Sequence, residues 1–175
     1  MSTAGAGNLA AQVLPKWVVI VFGASLAYQI LHWVEHAAQA YQHAWLGLSI
    51  LRSHGIVFFL DLEWNHFVFN TLYWAGLGVV LFGAWRWWRG AARRTNPFAF
   101  WGFLIGGLGM QTYHQVEHTM RMIQHLQVGC EPCPGILGWY LDGVWLHFSL
   151  NTVVLAFPLL AFVAYGFHRK LLALV

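Results

Sequence analysis

Four long apolar stretches constrain this chain more than any other feature of its sequence. They run over about Trp17–His43, Leu62–Trp88, Phe98–His125 and Gly143–Phe167. Each is long enough to cross a bilayer, which takes roughly 20 residues in a helix. Because lipid offers no partner for backbone N–H and C=O groups, each stretch is predicted to be a transmembrane helix. We therefore expect an all-α integral membrane protein whose residues 1–175 form a single membrane domain.

The charges indicate how these helices are oriented. Charged residues make up only 9% of the chain, against about a quarter in a soluble domain. Most basic residues fall on one membrane face: Lys16, Arg86, Arg89, Arg93, Arg94, Arg169 and Lys170. Only Arg52 and Arg121 fall on the other face. The positive-inside rule then predicts a multi-pass protein of the cell membrane with cytoplasmic N- and C-termini.

The loops Ala44–Leu60 and Leu126–Leu141 accordingly face the outer, periplasmic side. The lipid bilayer is the expected partner of the chain. A net charge of +3 placed by membrane topology gives no reason to expect nucleic acid. Assembly into a homo-oligomer or a larger membrane complex is left open by the sequence.

Polar residues of the first half recur in the second half at a nearly constant spacing. His32, Glu35 and His36 recur 82 positions later as His114, Glu117 and His118. Trp64, His66 and Asn70 recur 81 positions later as Trp145, His147 and Asn151. The two repeats, about 17–88 and about 98–167, each contain a helix, a loop and a helix. We therefore predict a four-transmembrane-helix bundle of two tandem helical hairpins, related by a pseudo-two-fold axis along the membrane normal.

Within each apolar helix the polar residues fall on one face. At about 100° per residue, those of the first helix occupy an arc of about 120°. They are Gln29, His32, Glu35, His36, Gln39 and His43, and the third helix carries Gln111, His114, Glu117, His118, Arg121 and His125 on the same arc. Ionisable groups that face lipid are costly, so these stripes are expected to point into the bundle.

This mixture of histidine and carboxylate is typical of a transition-metal site. Two histidines four residues apart on a helix face can bind one ion, and a nearby carboxylate can complete or bridge the site. The predicted ligands are His32, Glu35, His36, His66, His114, Glu117, His118 and His147. Such ligands suit iron, copper or zinc. The pattern does not choose among these metals, or between two sites and one two-metal site.

Further polar residues are expected to support the ligands by orienting the imidazoles. They are Gln29, Asn70, Gln111 and Asn151, with His43 and His125 at the outer mouth of the bundle. Asp61 and Asp142 are predicted to be the N-caps of the second and fourth helices. Cys130 and Cys133 are predicted to form a disulfide that staples the second outer loop, and a redox-active dithiol is the alternative.

Several functions are compatible with such a centre. The leading hypothesis is a metal-dependent oxidoreductase that acts on a small or lipid-soluble substrate near the outer face. The first alternative is a b-type haem electron-transfer protein. In that case Gly76, Gly78, Gly106, Gly107 and Gly109 would admit the flat ring between helices. A cofactor-holding subunit of a larger complex is the next alternative.

Transport and simple helix packing are the remaining interpretations. A transporter of protons or metal ions is disfavoured, because no polar path continues beyond Gln29 and Gln111 toward the cytoplasmic side. In the packing interpretation the polar layer only joins the helices. Glu117 and Arg121, four residues apart, would then form a simple ion pair.

Overall fold

The computed structural model describes residues 14–57 and 61–174. Every regular element in this part of the chain is helical. The α-helices are α1 (Lys16–Ala44), α2 (Leu62–Trp87), α3 (Arg93–Thr95), α4 (Pro97–Trp101), α5 (Met110–Val128), α6 (Gly143–Ala164) and α7 (Phe167–Leu172). The residues that precede Leu14 lie outside the described part, as does Leu60 at the end of the first predicted loop.

Three of the helices are long and apolar enough to cross a membrane. They are Lys16–Ala44, Leu62–Gly90 and Gly143–Ala164. The second of these extends beyond the end of α2 because the chain continues there as a π-helical turn, Trp88–Ala92. These helices coincide with three of the four predicted spans. For the described residues, the prediction of an all-helical chain with membrane-like helices is therefore confirmed.

The third predicted span is helical but interrupted. Its first part is α4, followed by a π-helical segment, Gly102–Gly109, and then by α5. The α5 helix has 19 residues, which is long enough to span a bilayer, but it is less apolar than the other three helices. The reason is its polar stripe, which includes Glu117 and Arg121 and lowers the mean hydropathy of the helix.

Side-chain caps determine where α2 and α6 begin. The Asp61 carboxylate accepts a hydrogen bond from the amide of Trp64 at 3.0 Å. The Asp142 carboxylate accepts bonds from the amides of Val144 and Trp145 at 2.9 and 3.1 Å. These side chains bind N–H groups that have no partner within the helix, so the predicted N-caps are confirmed.

The long helices contact one another in a ring. α1 packs against α2 and α6, α2 packs against α5, and α5 packs against α6. At the end of α1 that begins with Lys16, the interior is apolar and rich in aromatic side chains, and we call this region the aromatic half. Its centre is the buried ring of Phe22, which makes edge-to-face contacts with Phe103, Phe162 and Phe167 at centroid distances of 5.6, 5.2 and 5.1 Å.

Glycine permits a close approach between the π-helical segment and α6. A Cβ atom at Gly106 would overlap the ring of Phe157, and one at Gly107 would lie 2.8 Å from Cγ of Pro158. At the other end of the long helices the interior is polar. We call that region, which contains His32, His36, His66, His114, His118 and His147, the histidine half.

Candidate metal centre

Six histidines are buried together in the histidine half. None of their side chains is more than 2% exposed. They form two clusters, the first of His32, His36 and His66, and the second of His114, His118 and His147. Within each cluster, one nitrogen from every ring lies within 4.8 Å of the others. Nitrogens bound tetrahedrally to one ion lie about 3.4 Å apart, so a contraction of at most about 1.4 Å would bring each cluster to ligand geometry.

Helix carbonyls determine which nitrogen of His66 and His147 is free. The Nδ1 atom of His66 lies 2.7 Å from the Leu62 carbonyl oxygen, and that of His147 lies 2.7 Å from the Gly143 carbonyl oxygen. A carbonyl oxygen only accepts hydrogen bonds, so Nδ1 carries the proton in both rings. The lone pair is therefore on Nε2, which is buried without a hydrogen-bond partner in both residues. This is how proteins usually orient a histidine that binds a metal.

Amide side chains contact two of the other rings. The Asn70 side chain donates to Nε2 of His32 at 3.2 Å and to the His66 carbonyl oxygen at 2.9 Å. Nδ1 of His114 lies 3.4 Å from the Gln111 side-chain oxygen. Asn70 and Gln111 therefore each contact a residue of a histidine cluster.

The other two predicted supporting amides contact each other. The Gln29 side chain donates to the Asn151 side-chain oxygen at 2.8 Å, and Asn151 donates to the His147 carbonyl oxygen at 2.9 Å. Gln111 donates in the same way to the side-chain oxygen of Asn70 at 3.0 Å. Both amide pairs join residues of the first predicted repeat to residues of the second.

The two clusters adjoin each other. The rings of His36 and His147 are 6.0 Å apart between centroids, and those of His66 and His118 are 5.7 Å apart. A small cavity of about 30 Å³ reaches this junction, with room for roughly two water molecules. Its lining includes His36, His66, His147 and Arg121.

The two glutamates of the stripes bind loop backbone. The Glu35 carboxylate accepts hydrogen bonds from the amides of Ile56 and Val57, at distances between 2.9 and 3.2 Å. The Glu117 carboxylate accepts bonds from the amides of Ile136 and Leu137, the shortest at 2.9 Å. Neither glutamate belongs to a histidine cluster. The sequence did not reveal these partners, because loop amides carry no side-chain signal.

His43 and His125 lie away from the clusters and pair with the helix caps. Nε2 of His43 is 3.1 Å from Asp142, and Nε2 of His125 is 3.3 Å from Asp61. The Nδ1 atoms of the two rings lie 2.8 and 2.9 Å from loop carbonyl oxygens, which belong to Leu48 and Cys130. Both ion pairs join one predicted repeat to the other. The repeat relates His43 to His125 and Asp61 to Asp142, so the sequence could have indicated this reciprocal pairing.

The second loop is closed by a disulfide between Cys130 and Cys133. The Cys133 amide donates to the carboxylate of buried Glu63 at 2.7 Å. In the same loop, the Glu131 carboxylate accepts from the Leu62 amide at 2.7 Å. The stapled loop therefore rests on the beginning of α2.

Arg121 is a buried cation. The sequence predicted its position on the polar face of the third helix but not its surroundings. Its side chain is 7% exposed, and the described residues include no ion pair between it and Glu117. Its Nε atom is buried without a hydrogen-bond partner. The ion pair predicted for the packing interpretation is thus absent from the described residues.

Several ring nitrogens of the clusters are buried without a hydrogen-bond partner in the part of the chain that the structure describes. They are Nδ1 of His32, both nitrogens of His36, Nε2 of His66, Nδ1 of His118 and Nε2 of His147. A buried polar atom that forms no hydrogen bond costs about 1–3 kcal/mol.

The described chain is helical, has apolar helices, and carries two histidine clusters with the composition and spacing to hold a metal ion.

Comparisons with protein-family models, with curated proteins and with solved structures give no match to this chain.

Proposed function

We propose that this protein is a membrane metalloprotein in which the two histidine clusters hold transition-metal ions, and that it is a metal-dependent oxidoreductase. The single observation that carries the proposal is the convergence of six buried imidazoles, five of which have a ring nitrogen without a hydrogen-bond partner among the described residues. If these side chains served only to join helices, each ring nitrogen would be expected to have a hydrogen-bond partner, as both nitrogens of His114 do. A cation in each cluster would bind one unshared nitrogen lone pair from each ring.

The number and type of ligands support catalysis over a purely structural role. Each cluster offers three imidazoles, and a site with three protein ligands leaves a position open for substrate, as in catalytic metal sites. Imidazole ligands suit iron, copper or zinc, and of these iron and copper carry out one-electron chemistry. The metal would supply redox chemistry, and the chain would supply oriented nitrogens and a cavity that admits only small molecules.

The glutamates have a separate role in this proposal. Glu35 and Glu117 were predicted as ligands together with the histidines, but each binds the amides of a loop. Leaving those amides would remove hydrogen bonds to a charged acceptor from both loops. We therefore assign metal binding to the six histidines, and assign the two carboxylates to loop anchoring.

We also propose the membrane arrangement that the sequence predicts. In it, α1, α2, the α4–α5 segment and α6 form a four-transmembrane-helix bundle of two tandem hairpins with pseudo-two-fold symmetry. Cross-repeat contacts made in pairs support this arrangement, namely Gln29–Asn151 with Gln111–Asn70 and His43–Asp142 with His125–Asp61. The termini would be cytoplasmic, and the histidine half would lie near the periplasmic face.

The packing favours a metal over haem. The cavity that reaches the histidines has a volume of about 30 Å³, which is too small for a porphyrin. Cβ atoms at Gly76, Gly106 and Gly107 would meet Ser25, Phe157 and Pro158. Protein side chains thus occupy the space that those glycines would offer to a flat ring. The fully buried rings of Phe22 and Phe103 likewise disfavour a polar transport path through the aromatic half.

Metal analysis combined with absorption spectroscopy tests the proposal. Protein purified from membranes in detergent is expected to contain iron or copper, to show no Soret band, and to change its spectrum reversibly on reduction and reoxidation. A Soret band would replace the proposal with the haem alternative. Redox-silent zinc would contradict the oxidoreductase function, and a protein that takes up no metal would contradict the metal site.

A further inference from the structure

We propose that Arg121 makes the cavity beside the histidine clusters a binding site for a small anion, which defines the substrate class of the proposed centre. The inference rests on the proposed function only in identifying the bound anion as a substrate. The anion site itself depends on Arg121 and on the cavity, and it can be tested whether or not a metal is bound.

The first observation is the state of the guanidinium group. The Arg121 side chain is more than nine-tenths buried and lines the cavity, and its Nε atom has no hydrogen-bond partner among the described residues. Arginine is always charged in proteins, so this buried position holds a permanent cation. Buried charges are normally paired, since an unpaired one is expensive to desolvate. A cation that lacks a direct partner and faces a cavity is therefore poised to receive an anion.

The nearby carboxylates do not satisfy the guanidinium directly. Glu63 and Glu117 are near enough to interact with it electrostatically, but neither forms an ion pair with it among the described residues. Both are held elsewhere, because Glu63 accepts the Cys133 amide and Glu117 accepts the amides of the second loop. Their negative charges partly offset the positive charge of Arg121, but they do not occupy its N–H donors.

The cavity defines the size and position of the ligand. A volume of about 30 Å³, with room for roughly two water molecules, limits the ligand to a few heavy atoms. His36, His66 and His147 line the same cavity, so an anion held by Arg121 would lie beside both clusters. The planar guanidinium fork suits a small anion that offers two acceptor atoms.

The first predicted repeat provides an internal comparison. Gln39 lies 82 positions before Arg121 in the sequence and also lines the cavity. The cavity is therefore lined by a neutral amide from the first repeat and by a cation from the second. Replacing Arg121 by glutamine would place the same residue type at both positions, which removes the charge while keeping a polar side chain.

Azide is a suitable probe, because it is a small anion whose infrared stretching band shifts when it is bound. Azide is titrated into the purified wild-type protein and into the variants R121Q, R121K and R52Q, and the metal content of every sample is measured. Arg52 is exposed and is not part of the cavity lining, so R52Q is the matched loss of one positive charge outside the cavity. An intact Cys130–Cys133 disulfide and unchanged elution from a sizing column report that each variant has folded.

Wild type and R52Q are expected to show the same saturable bound band. R121Q should weaken azide binding by about tenfold or more, because a charge-assisted contact is lost, and R121K should fall in between. An unshifted azide band in wild type, or equal affinity in wild type and R121Q, would overturn the inference. Azide binding that depends on Arg121 in a metal-free protein would support the anion site and refute the metal centre, whereas a metal-loaded protein indifferent to Arg121 would do the reverse.

Discussion

His43, in the last turn of α1, forms an ion pair with Asp142, the N-cap of α6, with Nε2 and Oδ2 3.1 Å apart. His125 near the end of α5 makes the equivalent contact with Asp61, the N-cap of α2, at 3.3 Å. Each carboxylate thus has two roles, since it caps one helix and binds the end of another. These contacts join the two predicted hairpins at the edge of the histidine half.

Asp142→Asn and Asp142→Ala should separate these two roles. Asparagine still caps a helix but cannot form the ion pair, so Asp142→Asn should lower stability by less than about 1 kcal/mol. Alanine loses both contacts and should cost about 1 kcal/mol more, the usual value of an N-cap. Thermal unfolding in detergent measures the difference. Equal melting temperatures for the two variants would show that Asp142 does not cap α6.

Glu35→Ala tests whether this carboxylate anchors a loop or binds metal. The amides of Ile56 and Val57 lose a charged acceptor in the variant. Hydrogen bonds to charged groups are worth about 1.5–3 kcal/mol, so hydrogen exchange at these amides should accelerate by about tenfold or more. The amides of Ile136 and Leu137, which Glu117 holds, serve as the internal control and should keep their protection.

Metal content in the same variant decides the ligand assignment. Glu35→Ala should retain the metal content of the wild type, because the six histidines are the proposed ligands. Loss of metal with unchanged exchange at Ile56 and Val57 would instead support the original expectation that Glu35 is a ligand.

Gly55→Ala should destabilise the protein more than Gly47→Ala. Both glycines have positive φ, 76° and 63°, so alanine is strained at both positions by roughly 1–2 kcal/mol. A Cβ atom at Gly55 would additionally overlap the Glu35 carboxylate, whereas one at Gly47 would meet nothing within 4 Å. Chemical or thermal unfolding of the two variants gives the comparison. A Gly55→Ala variant as stable as Gly47→Ala would contradict the close packing of the first loop on Glu35.

The helix boundaries were largely predictable, because they follow from local chemistry. The predicted span Trp17–His43 is one residue shorter than α1 at each end. The predicted span Leu62–Trp88 begins where α2 begins and ends one residue after it. The Asp61 and Asp142 caps were readable because an N-cap interacts with residues two or three positions along the chain. The α6 helix ends at Ala164, before the predicted Phe167, because Gly166 takes a positive φ of 67° and interrupts it.

The environment of the polar residues was less predictable, because it depends on loop conformation and on contacts between distant segments. Helical spacing placed Glu35 on the same face as His32 and His36, and all three are buried. It could not show that the Glu35 carboxylate turns to the loop amides of Ile56 and Val57. Similarly, the i and i+4 spacing of Glu117 and Arg121 suggested an ion pair, but the loop amides bind the carboxylate instead.

The metal content of three cluster variants tests the central claim most directly. His36 and His118 are buried in different clusters, and both ring nitrogens of His36 have no partner. His36→Ala and His118→Ala should each remove about half of the bound metal, and the double variant should retain none, since each cluster then lacks one of three ligands. His54→Ala, an exposed histidine in the first loop, is the control and should keep the full metal content. A folded double variant that binds as much metal as the wild type would contradict the account.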